Sequence, residues 1–106
     1  MSENHIVTFC TVPDRETGER IARALVEERL AACVNRVPGV SSTYRWEGKV
    51  EQASEELLLI KTTASRLAKV TVRIKALHAY EMPEVIAIPI TAGSTEYLDW
   101  IVDNSK

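Results

Sequence analysis

Val40-Ser41-Ser42-Thr43-Tyr44-Arg45-Trp46-Glu47-Gly48-Lys49-Val50 is the stretch whose reading decides the fold. Val40, Ser42, Tyr44 and Trp46 fall on one face of an extended chain and Ser41, Thr43 and Arg45 on the other, the two-residue period of a strand. Glu47-Gly48 then gives a two-residue turn, its glycine supplying the positive φ that such hairpins require. The return strand runs from Lys49 to Thr63, and at about 3.3 Å per residue it can reach roughly 50 Å. Ordinary strands have about five or six residues.

The rest of the topology is read outward from this hairpin. Residues 32–37 open its first strand, and Pro38-Gly39 predicts a bend or bulge within it. Upstream, residues 5–12 are rich in β-branched side chains and form a first strand ending at Pro13-Asp14. Asp14 and Glu16 suit the positive end of a helix dipole, and Ile21, Ala22, Leu25, Val26 and Leu30 recur at helical steps over about four turns. Downstream, Ser65 is the expected cap of a second helix carrying Leu67, Val70, Ile74 and Leu77 and ending near His78. Residues 85–91 make a fourth strand in which Pro89 must face an edge or a break in pairing. Ser94 caps a terminal helix that buries Leu98 and Ile101.

The order β-α-β-β-α-β plus a C-terminal helix is the split βαβ, or ferredoxin-like, arrangement of the α+β class. Its antiparallel sheet has the strand order 4-1-3-2 and carries the two main helices on one face. Residues 1–106 are expected to form a single domain. The first and fourth strands are too short to flank the whole hairpin, so residues 40–53, with Tyr44 and Trp46, run past the sheet that should cover them. Pairing with the edge of sister chains in a closed ring answers that excess, and a homotrimer is the preferred ring.

Composition narrows the function. Thirteen Lys and Arg against fifteen Asp and Glu give a net charge of −2 without a block of either sign, which argues against nucleic-acid and anionic-membrane partners. The longest apolar run is far short of a membrane span. The opening Met1-Ser2-Glu3-Asn4-His5 lacks the basic and apolar regions of a secretory signal, so a cytoplasmic protein is expected. Glycine-rich phosphate loops, Cys-x-x-Cys and His-Glu-x-x-His spacings and a nucleophile elbow are all absent from the sequence. Nothing in it points to an enzyme.

Topology nevertheless gathers chemistry. Cys10 lies near the end of the first strand, His78 ends the second helix at the same end of the sheet, and Glu84 opens the fourth strand there. Thiolate, imidazole and carboxylate form a ligand set that copper or zinc accepts, sulfur favouring Cu(I) and nitrogen suiting Cu(II) or zinc. The same residues have an ordinary structural reading. Cysteine packs as a small apolar group, a histidine cation suits a helix C-terminus, and a glutamate accepts backbone N–H bonds. The pattern alone leaves both readings open. Cys33 starts the second strand at the opposite end, so the cysteines stand roughly 20 Å apart and no disulfide is expected.

Cys10-Thr11-x-Pro13-Asp14, Leu30-Ala31-Ala32-Cys33-Val34-Asn35, Pro38-Gly39, Tyr44-x-Trp46-Glu47-Gly48-Lys49, Lys61-Thr62 and His78-x-Tyr80-Glu81-x-Pro83-Glu84 resemble, in order, the CutA divalent-cation tolerance family. The resemblance implies a ferredoxin-like homotrimer with intersubunit sheets, residence in the cytoplasm and a link to copper tolerance. It associates copper with the position of Cys10 and with a histidine near His78. Ala79 stands where many members have proline, and Leu77 where some have a second histidine. The fold and trimeric state also resemble the nitrogen-regulatory PII proteins, which bind small effectors between subunits. That likeness implies a ligand sensor or adaptor whose pocket joins residues 80–84 to the neighbouring subunit's Trp46-Glu47-Gly48-Lys49 turn.

Overall fold

The computed structural model describes residues 4–106. Its elements are β1 (His5–Val12), α1 (Arg15–Glu27), β2 (Cys33–Trp46), β3 (Lys49–Thr63), a short 3-10 turn (Ala64–Arg66), α2 (Leu67–Leu77), β4 (Ile86–Pro89) and α3 (Thr95–Asn104). The four strands form one antiparallel sheet in the order β2-β3-β1-β4, the order read from the sequence.

Alternation along β1 sets the inside of the molecule. Ile6, Thr8, Cys10 and Val12 are buried while their neighbours are half-exposed. Cys10 and Val12 meet Ile21 and Leu25 of α1, Leu58 and Ile60 of β3, and Val70 and Ile74 of α2 in one core. Such side chains each contribute about 1.5–3 kcal/mol when fully removed from water.

Local chemistry explains where the helices start and stop. The Asp14 carboxylate accepts the Thr17 N–H at 2.8 Å, which caps α1 and holds the Asp14 carboxyl below its ordinary range. Expected to continue to Leu30, α1 instead stops at Glu27. Arg29 turns to φ 60°, the Arg29 N–H reaches Val26 O and the Leu30 N–H reaches Leu25 O, a Schellman ending. An arginine holds this left-handed position because its guanidinium donates to Asp103 O at 2.7 Å and Lys106 O at 2.6 Å. Ser65 is not the cap of α2. Its hydroxyl lies 3.2 Å from Thr63 Oγ1, a 3-10 turn intervenes, and α2 begins at Leu67 without a side-chain cap. Ser94 does cap α3, accepting the Tyr97 N–H. The fourth strand is confined to Ile86–Pro89, shorter than the expected residues 85–91, because β1 offers it partners only from Ile6 to Phe9.

The hairpin is one continuous ladder broken once, by a register shift between Val37 and Val40, where Gly39 takes φ 78°. Its first part is flanked: β1 pairs with residues 56–63 of β3. Beyond that, residues 49–55 have β2 on one side and no strand on the other among the described residues. The overhang stretches the chain to 46 × 25 × 23 Å. Its radius of gyration is 14.2 Å, against roughly 13 Å for a compact chain of this length. No helix among the described residues is long and apolar enough to cross a membrane.

Candidate functional site

Because β1 alternates, Cys10 points to the helices and not to solvent. It is completely buried, and its thiol donates weakly to Thr11 O at 3.7 Å. Burial, then the nearby negative charges of Glu84 and Glu55, pushes the thiol pKa up to about 12. The thiol is therefore protonated at neutral pH.

His78 follows the last residue of α2 with extended backbone, its own N–H still closing the helix on Ile74 O. Its Nε2 lies 2.7 Å from Thr11 O, and its Nδ1 lies 3.0 Å from the Tyr80 amide nitrogen. A carbonyl only accepts and an amide N–H only donates, so these partners select the neutral ring protonated on Nε2. The imidazole thus pins residues 78–80 to the end of β1, beside Cys10. The Tyr80 ring tilts against it with centroids 4.7 Å apart.

Tyr80 links this corner to the hairpin. Its hydroxyl donates to Glu55 Oε2 at 2.7 Å. Burial, that hydrogen bond and the Glu55 charge raise its pKa. Glu55 is only 8% exposed although it carries a carboxylate. It sits opposite Val40, the first paired residue after the bulge. Glu84 is exposed, follows buried Pro83, and acts on Cys10 through its charge.

Cys10, His78 and Glu84 therefore come from three segments to the same end of the sheet. Their donor atoms are not arranged as a ligand set: among the described residues no group of three or more His, Cys, Asp or Glu side chains is placed to hold a metal ion. Both cysteines are free, Cys33 being half-buried. Sequence reasoning missed Glu55. The signal available was a carboxylate two residues before the apolar run at Leu57, facing a bulge.

Between the overhang and residues 79–84 lies a cleft of about 760 Å³, lined by Tyr44, Trp46, Glu55, Tyr80, Met82 and Glu84 among others. Trp46 and residues 80, 81, 82 and 84 line this cleft within one protomer.

The chain is also similar to known proteins over most of its length. The profile of the family described as CutA1 divalent ion tolerance protein matches residues 6–104. The Arabidopsis thaliana "Protein CutA, chloroplastic" is 54% identical over 101 residues, which is 95% of this chain but 56% of that relative, so the chain spans about half its length. The solved "Divalent cation tolerance protein (Cut A1)" of Thermus thermophilus superposes with a TM-score of 0.94 at 53% identity, covering 96% of this chain and 99% of that one. The CutA1 structure from Oryza sativa gives 0.95 at 48% identity, covering 99% and 96%. Sequence likeness and backbone likeness over nearly every residue from β1 to α3 lead to one conclusion: this chain belongs to the CutA1 divalent ion tolerance family.

Proposed function

We propose that the chain acts as a homotrimer that binds copper or another divalent cation through Cys10, His78 and Glu84, and so contributes to cation tolerance. One observation carries the assembly: among the described residues, 49–55 have no outer partner strand, while Tyr44 and Trp46 stand 44% and 39% exposed on the same overhang. Unpaired edge backbone and bare aromatic rings both favour cover, and sister copies closing a ring supply it. The two free thiols fit a reducing compartment such as the cytoplasm.

The donors restrict which cation binds. Ionising a thiol of pKa about 12 at neutral pH costs on the order of 7 kcal/mol. Only a thiophilic ion offsets that, so copper is favoured and the oxygen-seeking magnesium and calcium are not. His78 must give up one backbone partner to coordinate, either Nδ1 by releasing the Tyr80 N–H or Nε2 by passing its proton to Nδ1 and releasing the Thr11 carbonyl. Glu84, exposed and charged, is the first contact.

Copper titration by calorimetry tests the ligand set. The wild type is expected to bind at least about tenfold more tightly than the Cys10→Ser, His78→Ala double variant, since soft and imidazole donors dominate copper affinity. Equal affinities would leave these residues with packing roles alone. Light scattering tests the assembly, with about 35 kDa expected for three 11.8 kDa chains. A second reading, a trimeric sensor of a small organic ligand, is favoured by the cleft beside Tyr80.

A further inference from the structure

We propose that capture of a cation at His78 releases a strap, the Tyr80 side chain bound to Glu55, and so loosens the root of the hairpin overhang. The inference rests on the proposed cation reading and names how the rest of the chain answers to it. Both nitrogens of His78 are already engaged, Nε2 with Thr11 O at 2.7 Å and Nδ1 with the Tyr80 amide at 3.0 Å. A neutral imidazole has one ring lone pair to give to a metal. If Nδ1 takes the cation, the Tyr80 N–H is displaced. If Nε2 takes it, the ring proton moves to Nδ1, and two donors, Nδ1–H and the Tyr80 N–H, then face each other. Either route breaks the same hydrogen bond, so the corner has two mutually exclusive arrangements, which is what a coupling between distant parts requires.

Tyr80 carries that break to the hairpin. Its ring lies 4.7 Å from the imidazole, centroid to centroid, and its hydroxyl donates to Glu55 Oε2 at 2.7 Å. Such a short bond to a charged acceptor is strong only while its geometry holds, and a residue 80 driven off its amide anchor takes the hydroxyl with it. Glu55 stands at a junction in the sheet. The pairing with β1 ends at Glu56, and Glu55 pairs with Val40, the first residue after the register shift. Its residue is only 8% exposed, so a carboxylate that loses the hydroxyl must recover hydration by opening its surroundings. Those surroundings are the root of the overhang, the surface proposed for sister chains.

The experiment uses the full chain, copper(I) chloride under anaerobic conditions, and a Tyr80→Phe variant, which keeps the amide and the ring and lacks only the hydroxyl. Calorimetry reads affinity. Amide exchange followed by mass spectrometry reads residues 40–55, with residues 58–63 as the covered reference. Copper should speed exchange of residues 40–55 in the wild type by at least about fivefold and leave residues 58–63 unchanged. In Tyr80→Phe the same segment should exchange faster without metal and respond no further to copper. That variant should also bind copper about tenfold more tightly, because no strap opposes capture. Glu55→Gln, which offers the hydroxyl an acceptor without its charge, should fall between the two. If the wild type binds copper while exchange of residues 40–55 stays unchanged, or if both variants bind copper as the wild type does, the strap is refuted and the cation reading stands. If the wild type binds no copper, the cation reading fails and this inference fails with it.

Discussion

The two ends of β3 share one antiparallel ladder with β2 and have opposite fates. In residues 56–63, Leu58, Ile60 and Thr62 are fully buried beneath the helices, with β1 on one side and β2 on the other. In residues 49–55 the ladder to β2 continues, yet Val50 is 63% exposed and Trp46, the partner of Lys49, is 39% exposed. Period two therefore reports a strand, whereas burial depends on what the rest of the chain can bring over it. One end is completed by the chain's own helices, and the other has no covering element among the described residues.

Truncation at each end breaks or sharpens the contrast. Leu58→Ala, in the covered half, is expected to lower unfolding free energy by about 2–5 kcal/mol. Val50→Ala in the bare half should change a dissociated protomer by less than about 0.5 kcal/mol. Denaturant titrations at low and high protein concentration compare them. A large Val50 effect only at high concentration marks the overhang as covered by sister chains, whereas an equally large effect at both would show that the protomer covers it alone. Next in size, Trp46→Ala should cost assembly about 2 kcal/mol per buried ring, seen by light scattering as dissociation at higher protein concentration. A variant that assembles as tightly as the wild type removes Trp46 from the interface.

The covered half was also the more legible. Strand order and the apolar helix repeat that buries Val70 and Ile74 follow from spacing, because each is fixed by local period and short connections. Boundaries set by distant partners were not legible. The end of α1 depends on Arg29 reaching carbonyls more than seventy residues away; the start of α2 is displaced by a local competitor, the Ser65 hydroxyl turning to Thr63 instead of capping the helix. At the site, topology places Cys10, His78 and Glu84 at one end of the sheet, but it does not reveal which atoms are already occupied. His78 spends both nitrogens on backbone partners, and Glu55 is buried by a tyrosine arriving from twenty-five residues downstream.

Alkali probes how closed the covered half is. The Cys10 thiol ionises near 9.0 in the unfolded chain and at about 12 in the folded one. The unfolded state therefore loses its proton first, and stability falls as pH rises through that window, by about 1.4 kcal/mol per unit from this group. Below pH 9 the group leaves stability flat. Cys10→Ala should show a shallower decline than the wild type between pH 9 and 11, in parallel urea titrations. Identical slopes would mean that water reaches the thiol and that the end of β1 opens more readily than its burial indicates.

The smallest effect lies at the tip of the bare half. Glu47 and Gly48 both hold positive φ, 51° and 79°, so the connection between Trp46 and Lys49 is a type I′ turn. Glycine adopts that geometry freely, but glutamate does so at a cost, and asparagine is the residue best suited to the first position. Glu47→Asn should raise unfolding free energy by about 0.5 kcal/mol and Gly48→Ala should lower it by about 1 kcal/mol, both read from melting curves. The side chains play no part in this argument, since a Cβ at Gly48 meets no atom within 4 Å. If Gly48→Ala instead disrupts assembly while leaving the dissociated protomer unchanged, the turn packs against a sister chain. The overhang would then be a contact surface to its last residue.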